Sequence, residues 1–296
     1  MTARKTILIT GAAGGIGKHA ALHLARRGHR VFASGRRPDA LEALAHEAKG
    51  LPLETLLLDV TDPASIAAAR AEIDGRTQGY GVDVLINNAG YGQFGPLELV
   101  TDTELRRQFE TNVFGLNAVT RAFVPRMRER GHGRLINLSS IGGRVTFPFA
   151  GAYHATKYAV EAMSDALRRE LGLFGVDVVL IEPGPIASEF AATAVRSVSA
   201  MRANFGPYGL FFERLEAVQK QAENMAAGPE HTSRALSRAV EARRPKARYV
   251  APGYLAPLLA LLIMLPVTVL DWLSLRALGV RPRRRTPQLT AAQPES

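Results

Sequence analysis

Tyr153 and Lys157, four residues apart in Tyr153-His154-Ala155-Thr156-Lys157, are a pair whose types and spacing suggest chemistry. The segment lies near the start of an expected helix, where i, i+4 spacing puts both side chains on one face, a turn apart. An unperturbed phenol titrates at about pH 10 and is a poor base at neutral pH. A neighbouring ammonium would lower it toward the working range, so that it could exchange a proton with a substrate oxygen. Alone, such a pair is a common coincidence. Its company makes it more. Ser139-Ser140 closes an apolar run thirteen residues before the tyrosine, counted from Ser140, and Asn112 sits inside a long helical stretch.

A second feature lies near the N-terminus, where Thr10-Gly11-Ala12-Ala13-Gly14-Gly15-Ile16-Gly17 joins apolar Ile7-Leu8-Ile9 to a helical pattern. Glycines at 11, 15 and 17 allow a tight turn, admit a pyrophosphate and let the helix pack closely on the strand. The helix N-terminus then offers N–H groups and positive dipole to phosphates. An oxidised nicotinamide carried there would add positive charge near the tyrosine. Cofactor choice is expected at the end of the second strand, where an acid would hold the ribose hydroxyls of NAD. The chain reads Ala33-Ser34-Gly35-Arg36-Arg37, with no carboxylate before Asp39. Arg36 offers a guanidinium fork to a 2′-phosphate, Arg37 adds charge and Ser34 a hydroxyl, so NADP(H) is expected over NAD(H). The plain alternative is an exposed arginine pair after a strand.

The elements that position these residues alternate. Strands are expected at Ile7–Ile9, Val31–Ala33, Leu56–Leu58, Val82–Ile86, Arg134–Leu138 and Val176–Ile181. Helices are expected up to Arg27 after the glycine turn, then over 38–49, 64–73 (Asp62 as N-cap before Pro63), 103–128 and 152–173. Strands apolar throughout, separated by helices, imply a Rossmann-like, doubly wound parallel α/β sheet with helices on both faces. No internal repeat is visible.

Composition sets the remaining bounds. The 296 residues are 47% hydrophobic and 22% charged, enough to bury a core and unlike a disordered chain. There are no cysteines, which excludes disulfides, thiolate zinc sites and cysteine nucleophiles. The seven histidines show no metal-ligand spacing, so no metal is expected. The apolar start is too short for a signal peptide, and a cytoplasmic location is expected. Net charge is +10, concentrated toward the C-terminus. Without interleaved aromatics or a reading module, that charge points away from nucleic acid and toward an anionic membrane surface.

Seven pieces, in order, make the chain resemble the short-chain dehydrogenase/reductase family over roughly residues 5–190. They are TGAAGGIG at 10–17, LDVTD at 58–62, NNAG at 87–90, TNVFG at 111–115, INLSS at 136–140, YHATK at 153–157 and EPGPIAS at 182–188. The resemblance implies a catalytic tetrad of Asn112, Ser140, Tyr153 and Lys157. Tyr153 would exchange the proton and Ser140 would hydrogen-bond the substrate oxygen. Lys157 would hold the ribose and depress the phenol, and Asn112 would anchor a relay water. It also implies cofactor contacts from Gly11, Gly15, Ile16, Gly17, Asp59, Val60, Ala89, Gly90, Pro183, Gly184, Ile186 and Ser188, with Asn88 steadying the central sheet. Gly14 and Ser188 depart from the commoner residues at their positions; the hydroxyl at 188 is kept. A homodimer is expected on the same analogy. SGRR and EPGPI lean toward the NADP-preferring branch that contains 17β-hydroxysteroid and retinol dehydrogenases. His154 reads as helix surface, and Met127, Met163 and Trp272 as packing.

The substrate side is expected to be apolar. Tyr91, Phe94, Phe147 and Phe149 follow strand ends, and a lid at about 188–229 carries Phe190, Met201, Phe205, Tyr208, Phe211, Phe212 and Met225. They form either a wall for a bulky apolar carbonyl or alcohol, such as a steroid, retinoid or lipid, or simply the core of the lid itself. The expected organisation is a catalytic domain over 1–248, an apolar helical extension over 249–280 and a basic, disordered tail over 281–296. From Tyr249 to Leu270 no residue is charged, but prolines at 252, 257 and 266 interrupt the run. The stretch could lie on a bilayer, cap the pocket, span a membrane or pack as core. The leading expectation is an NADPH-dependent carbonyl/alcohol oxidoreductase. The alternatives are a membrane-associated 3-ketosphinganine or fatty-acyl/aldehyde reductase, and a cofactor-binding scaffold without turnover.

Overall fold

The computed structural model describes residues 3–187, 190, 206–209 and 226–279. Seven strands form one parallel sheet in the order β3-β2-β1-β4-β5-β6-β7: β1 (Thr6–Ile9), β2 (Arg30–Gly35), β3 (Leu53–Leu57), β4 (Val84–Asn87), β5 (Gly133–Leu138), β6 (Val176–Pro183) and β7 (Arg248–Ala251). The order reverses between β1 and β4, so the carboxyl ends of those two strands open the crevice where such sheets bind ligands.

Period-two alternation divides the core between the faces. Ile7 and Ile9 point to one face, under α1 (Gly15–Arg26), α2 (Pro38–Glu47) and α7 (Glu230–Glu241). Leu8 and Phe32 point to the other, under α3 (Pro63–Arg76) and α5 (Leu116–Arg130), with α6 (Gly151–Gly172) alongside. Each such fully buried Leu, Ile or Phe contributes roughly 1.5–3 kcal/mol of transfer free energy. The expected doubly wound sheet is therefore present, and its helices start where local chemistry allows. Asp62 caps α3, accepting from Ala64 N at 2.9 Å, with Pro63 in the first turn.

Four differences from the sequence reading matter. The third strand starts earlier, at Leu53, because its ladder to β2 runs from Val31↔Leu53 to Gly35↔Leu57. The expected helix over 103–128 is broken: α4 (Asp102–Phe109) passes into a π turn, Glu110–Gly115, before α5 begins. The wide turn is seated on Val60, since a Cβ on Gly115 would stand 2.8 Å from the Val60 carbonyl oxygen. Helix α7 was not anticipated at all. Finally, the expected domain boundary at 248/249 falls inside a strand, because Arg248–Ala251 pairs with Leu180–Pro183 of β6 and completes the sheet. Beyond it lie two short helices, α8 (Ala256–Met264) and α9 (Val267–Ala277). Among the described residues no helix is long and apolar enough to cross a membrane.

Candidate active site

The glycine turn sits at the crevice. Gly11 has φ +65°, and a Cβ there would lie 2.8 Å from the Ala89 Cα, so the ends of β1 and β4 touch only because the residue is glycine. Thr10 Oγ1 accepts from the Asn88 and Ala89 N–H groups at 3.0 and 3.1 Å. Asn88 Nδ2 donates back to the carbonyls of Thr10 and Gly11 at 2.9 and 3.0 Å. Asn88 thus holds the turn itself. The centre of the sheet is steadied by its neighbour Asn87, whose Nδ2 donates to Asn137 Oδ1 and Thr120 Oγ1. A Cβ on Gly17 would overlap Asn88 Nδ2 and the Gly11 carbonyl. Helix α1 starts at Gly15 with no side-chain cap and no acid in its first turn, which contains Ile16. Its first N–H groups and dipole are left to an outside anion, and the cradle fits a dinucleotide pyrophosphate.

At the end of β2, Arg36 and Arg37 are exposed. Ser34 is not a phosphate contact: it is fully buried and its hydroxyl donates to the Ile9 carbonyl at 3.0 Å. Asp59 lies at the end of β3. Burial works against its charge, but the N–H and hydroxyl of Thr61 and the nearby Arg36 guanidinium hold it below the usual carboxylate range. Gly90 lies beside Asn112, where a Cβ would stand 3.0 Å from Oδ1. Pro183 ends β6, the Gly184 N–H donates to the Ala251 carbonyl at 2.8 Å, and buried Ile186 bridges to Ala227. Ser188 lies outside the described residues.

The four chemistry-bearing residues converge from three elements. Tyr153 and Lys157 lie in the first two turns of α6, with Lys157 Nζ 5.7 Å from the tyrosine ring centroid. Ser140, at the end of β5, lies beside Tyr153, donates to the Pro183 carbonyl at 3.3 Å and accepts from Gly142 N at 3.0 Å. Lys157 Nζ donates to the Leu138 carbonyl at 2.7 Å. Asn112 lies in the π turn. Its Oδ1 accepts from Tyr91 N at 3.1 Å, while Nδ2 donates to Tyr91 O and Thr156 Oγ1. Both ends of its side chain are engaged, so a relay water would meet the widened turn's backbone rather than the amide.

Burial governs the titration of this group. It pushes the Tyr153 phenol up to about 12, with the Ser140 hydrogen bond pulling the other way. Lys157 is buried as well: desolvation brings its ammonium down to about 8, against the attraction of Glu161. In this environment the phenol holds its proton at neutral pH, the state of a donor.

The sequence of residues 5–198 matches the family described as short chain dehydrogenase, well over half the chain. The chain belongs to the short-chain dehydrogenase family. It is an oxidoreductase of carbonyl and alcohol groups. Three curated relatives give its surroundings. A 3-ketodihydrosphingosine reductase of Bacteroides thetaiotaomicron is 37% identical over 82% of this chain and 86% of that protein. Human 17-beta-hydroxysteroid dehydrogenase type 1 is 35% identical over 87% and 80%. An NADPH-dependent 3-dehydrocapnine reductase of Ornithobacterium rhinotracheale is 34% identical over 89% and 94%.

Around the tyrosine this short-chain dehydrogenase carries an aromatic enclosure. Phe94 stacks on Tyr153 at 5.6 Å between centroids, Phe190 meets it at 5.1 Å, and the two phenylalanines meet edge-on at 6.3 Å. Phe149 contacts Tyr208. Met201, Phe205, Phe211, Phe212 and Met225 lie outside the described residues. A second apolar feature adjoins the site: Ile141, Val145 and Phe147, following Ser140, face Leu255, Leu258 and Leu262 of the C-terminal extension across a small cleft.

Two features of this dehydrogenase escaped the sequence. His154 is buried, not helix surface. Its Nδ1 accepts from the Phe147 N–H at 3.2 Å, and its ring edge fills the space a Cβ on Gly142 would need. Burial brings it down to about 4, so it is neutral at physiological pH. Behind Lys157, Glu161, Asp165 and Glu182 gather around Arg248, and Arg144 also reaches Glu182, at 3.2 Å. The signal in the sequence was Glu161 at i+4 from Lys157 on a face that must be buried. Its cation, however, is 87 residues away.

Proposed function

We propose that this chain is an NADPH-preferring reductase of a carbonyl on a bulky, apolar substrate. The observation that carries the reading is Tyr153, beside Ser140 and with its ring enclosed by Phe94 and Phe190. Apolar walls around one hydroxyl pair orient a large apolar substrate by its only polar atom. Bound NADPH supplies the hydride. Ser140 Oγ–H donates a hydrogen bond to the carbonyl oxygen, and Tyr153 gives its proton to that oxygen as negative charge develops there. Lys157, positively charged and one turn away, stabilises the tyrosinate left behind and favours its reprotonation through water at the π turn.

Arg36, exposed at the end of β2 with no acid beside it on that strand, supports the choice of NADPH by offering a charge-assisted fork to the 2′-phosphate. The NADPH dependence in the name of the 3-dehydrocapnine reductase lends further support. The relatives that act on 3-ketodihydrosphingosine and on 17-beta-hydroxysteroids support apolar substrates of two shapes, chain-like and polycyclic. NADPH and NADH oxidation over steroid ketones, retinal, a ketosphinganine and long-chain aldehydes tests the reading. Turnover of at least one of these with NADPH favoured is the expected result. Turnover confined to small polar carbonyls, or NADH favoured, overturns it.

A further inference from the structure

A water-facing helix normally turns its polar residues outward. The C-terminal pair leaves its apolar residues outward as well. On α8 only Leu259 is buried, and on α9 no residue is. Leu258, Leu261, Met264, Val267 and Trp272 are 52%, 57%, 83%, 71% and 51% exposed, and Ile263, Val269 and Leu273 add to the same uncovered surface. Isolated exposed apolar residues need no explanation, but a continuous run over two helices marks a surface that meets something apolar.

Charge indicates what that is. From Arg276 to Arg285 the chain carries five arginines, against the single acid Asp271 in the extension. Two copies meeting through this face would bring like charges together, whereas anionic headgroups would attract them. Arg276 lies over the Trp272 ring at 5.4 Å, a cation and an amphipathic aromatic side by side, as suits the boundary between headgroups and acyl chains. Helices of 9 and 11 residues are too short to cross. They can lie in the interface.

The inner edge of the same pair reaches the active site. Leu255 packs on Gly184, where a Cβ would overlap it. Leu258 and Leu262 line the apolar cleft opposite Ile141, the residue after Ser140. We propose that α8–α9 docks on an anionic lipid bilayer, and that its inner edge is one wall of an entrance by which an apolar substrate passes from the lipid to Tyr153. The docking stands on exposure and charge alone; the entrance rests on the reductase reading.

Trp272 is the chain's only tryptophan and reports on the surface directly. The full chain is mixed with phosphatidylcholine vesicles, with or without phosphatidylglycerol, carrying brominated acyl chains. With phosphatidylglycerol at 0.1 M salt, Trp272 emission should shift to shorter wavelength and be quenched. Partition should be at least about tenfold stronger than on phosphatidylcholine alone and should weaken at 1 M salt, where the screening length falls to about 3 Å. Absence of quenching overturns the docking. So does emission already shifted in buffer and moving with protein concentration, which would mean self-association.

A Leu261→Glu/Met264→Glu/Val267→Glu variant, altered only at exposed positions outside the cleft, should lose vesicle binding yet reduce a water-soluble carbonyl at the wild-type rate. On a long-chain carbonyl embedded in the vesicles its kcat/KM should fall at least about tenfold. Equal rates on the embedded substrate overturn the entrance. If the wild type reduces no carbonyl at all, the reductase reading and the entrance fall together, and quenching still decides the docking.

Discussion

Arg248 at the start of β7 reaches Glu161 on α6, its Nε donating to Glu161 Oε2 at 3.1 Å, one helical turn beyond Lys157. The same guanidinium donates to Asp165 at 2.7 Å and lies 3.1 Å from Glu182. One cation from the last strand therefore offsets three acids behind the catalytic helix. Arg248→Met leaves Asp165 to Arg168 and Glu182 to Arg144 and strips buried Glu161 of its guanidinium partner, and stability should fall by about 3 kcal/mol, as when one partner of a buried charge pair is removed.

The pH dependence of that loss has a definite sign. Burial, with Glu182 nearby, holds Glu161 above the ordinary carboxylate value, although Ser139 and Arg248 pull it down. A carboxyl raised in the folded state binds more protons folded than unfolded above its unfolded pKa of about 4.3, so stability falls as pH rises through that window. Without Arg248 the window widens. The difference between variant and wild type in urea midpoint should shrink as pH drops to about 4 and be largest near neutrality. A loss independent of pH would mean that Arg248 acts by packing alone.

Tyr153→Phe keeps the ring between Phe94 and Phe190 and removes only the proton donor. Reduction should fall by at least about 10²-fold, a common size for general-acid catalysis, with NADPH affinity nearly unchanged by fluorescence titration. Retained turnover would remove Tyr153 from the reaction.

Lys157 should leave a signature in stability as well as in rate. Its folded value of about 8 lies below the ordinary 10.5, so between the two the unfolded chain binds more protons and stability rises with pH. The cost of the buried ammonium is complete below about pH 8 and is gone above the unfolded value. Lys157→Met should abolish turnover and flatten that slope, as read by denaturation midpoints at pH 7, 8.5 and 10.

Arg36→Ala should raise the Kd for NADPH by roughly 10- to 100-fold, the range of one charge-assisted contact worth 1.5–3 kcal/mol, and leave NADH unchanged. Calorimetric titration with both nucleotides separates these outcomes. Equal weakening of both would place Arg36 in folding rather than in phosphate recognition.

Gly17→Ala introduces a Cβ into the contact between Asn88 and the Gly11 carbonyl, both fixed by backbone. Overpacking of this kind costs about 1–3 kcal/mol. NADPH binding should weaken more than the melting temperature implies, because the distortion falls on the phosphate cradle.

The sequence carried the cofactor cradle and the tyrosine–lysine pair because both are local. Gly11 to Gly17 and Tyr153 to Lys157 each lie within one turn of chain. The doubly wound sheet was equally legible, since strands covered on both faces are apolar throughout. What escaped depended on contacts far along the chain. The Glu110–Gly115 turn has an ordinary helical composition, and its widening follows from Val60 beneath Gly115 and Tyr91 beside Asn112. Arg248 and Tyr249 disguise a four-residue edge strand as the start of an apolar tail. Ser34 looked like a phosphate ligand only while the direction of its side chain was unknown.

Because β7 is the last strand among the described residues and pairs there only with β6, translation makes this edge of the sheet long after α6 has emerged. Until residue 251 leaves the ribosome, Leu180–Pro183 presents an open row of backbone donors and acceptors, the kind of edge that recruits other chains. A stop codon or protease cut just before Arg248 would therefore do more than remove a tail: it would strip Glu161 of its counter-ion and leave a sticky border. Any shortened form intended to resist aggregation must keep the chain through Ala251.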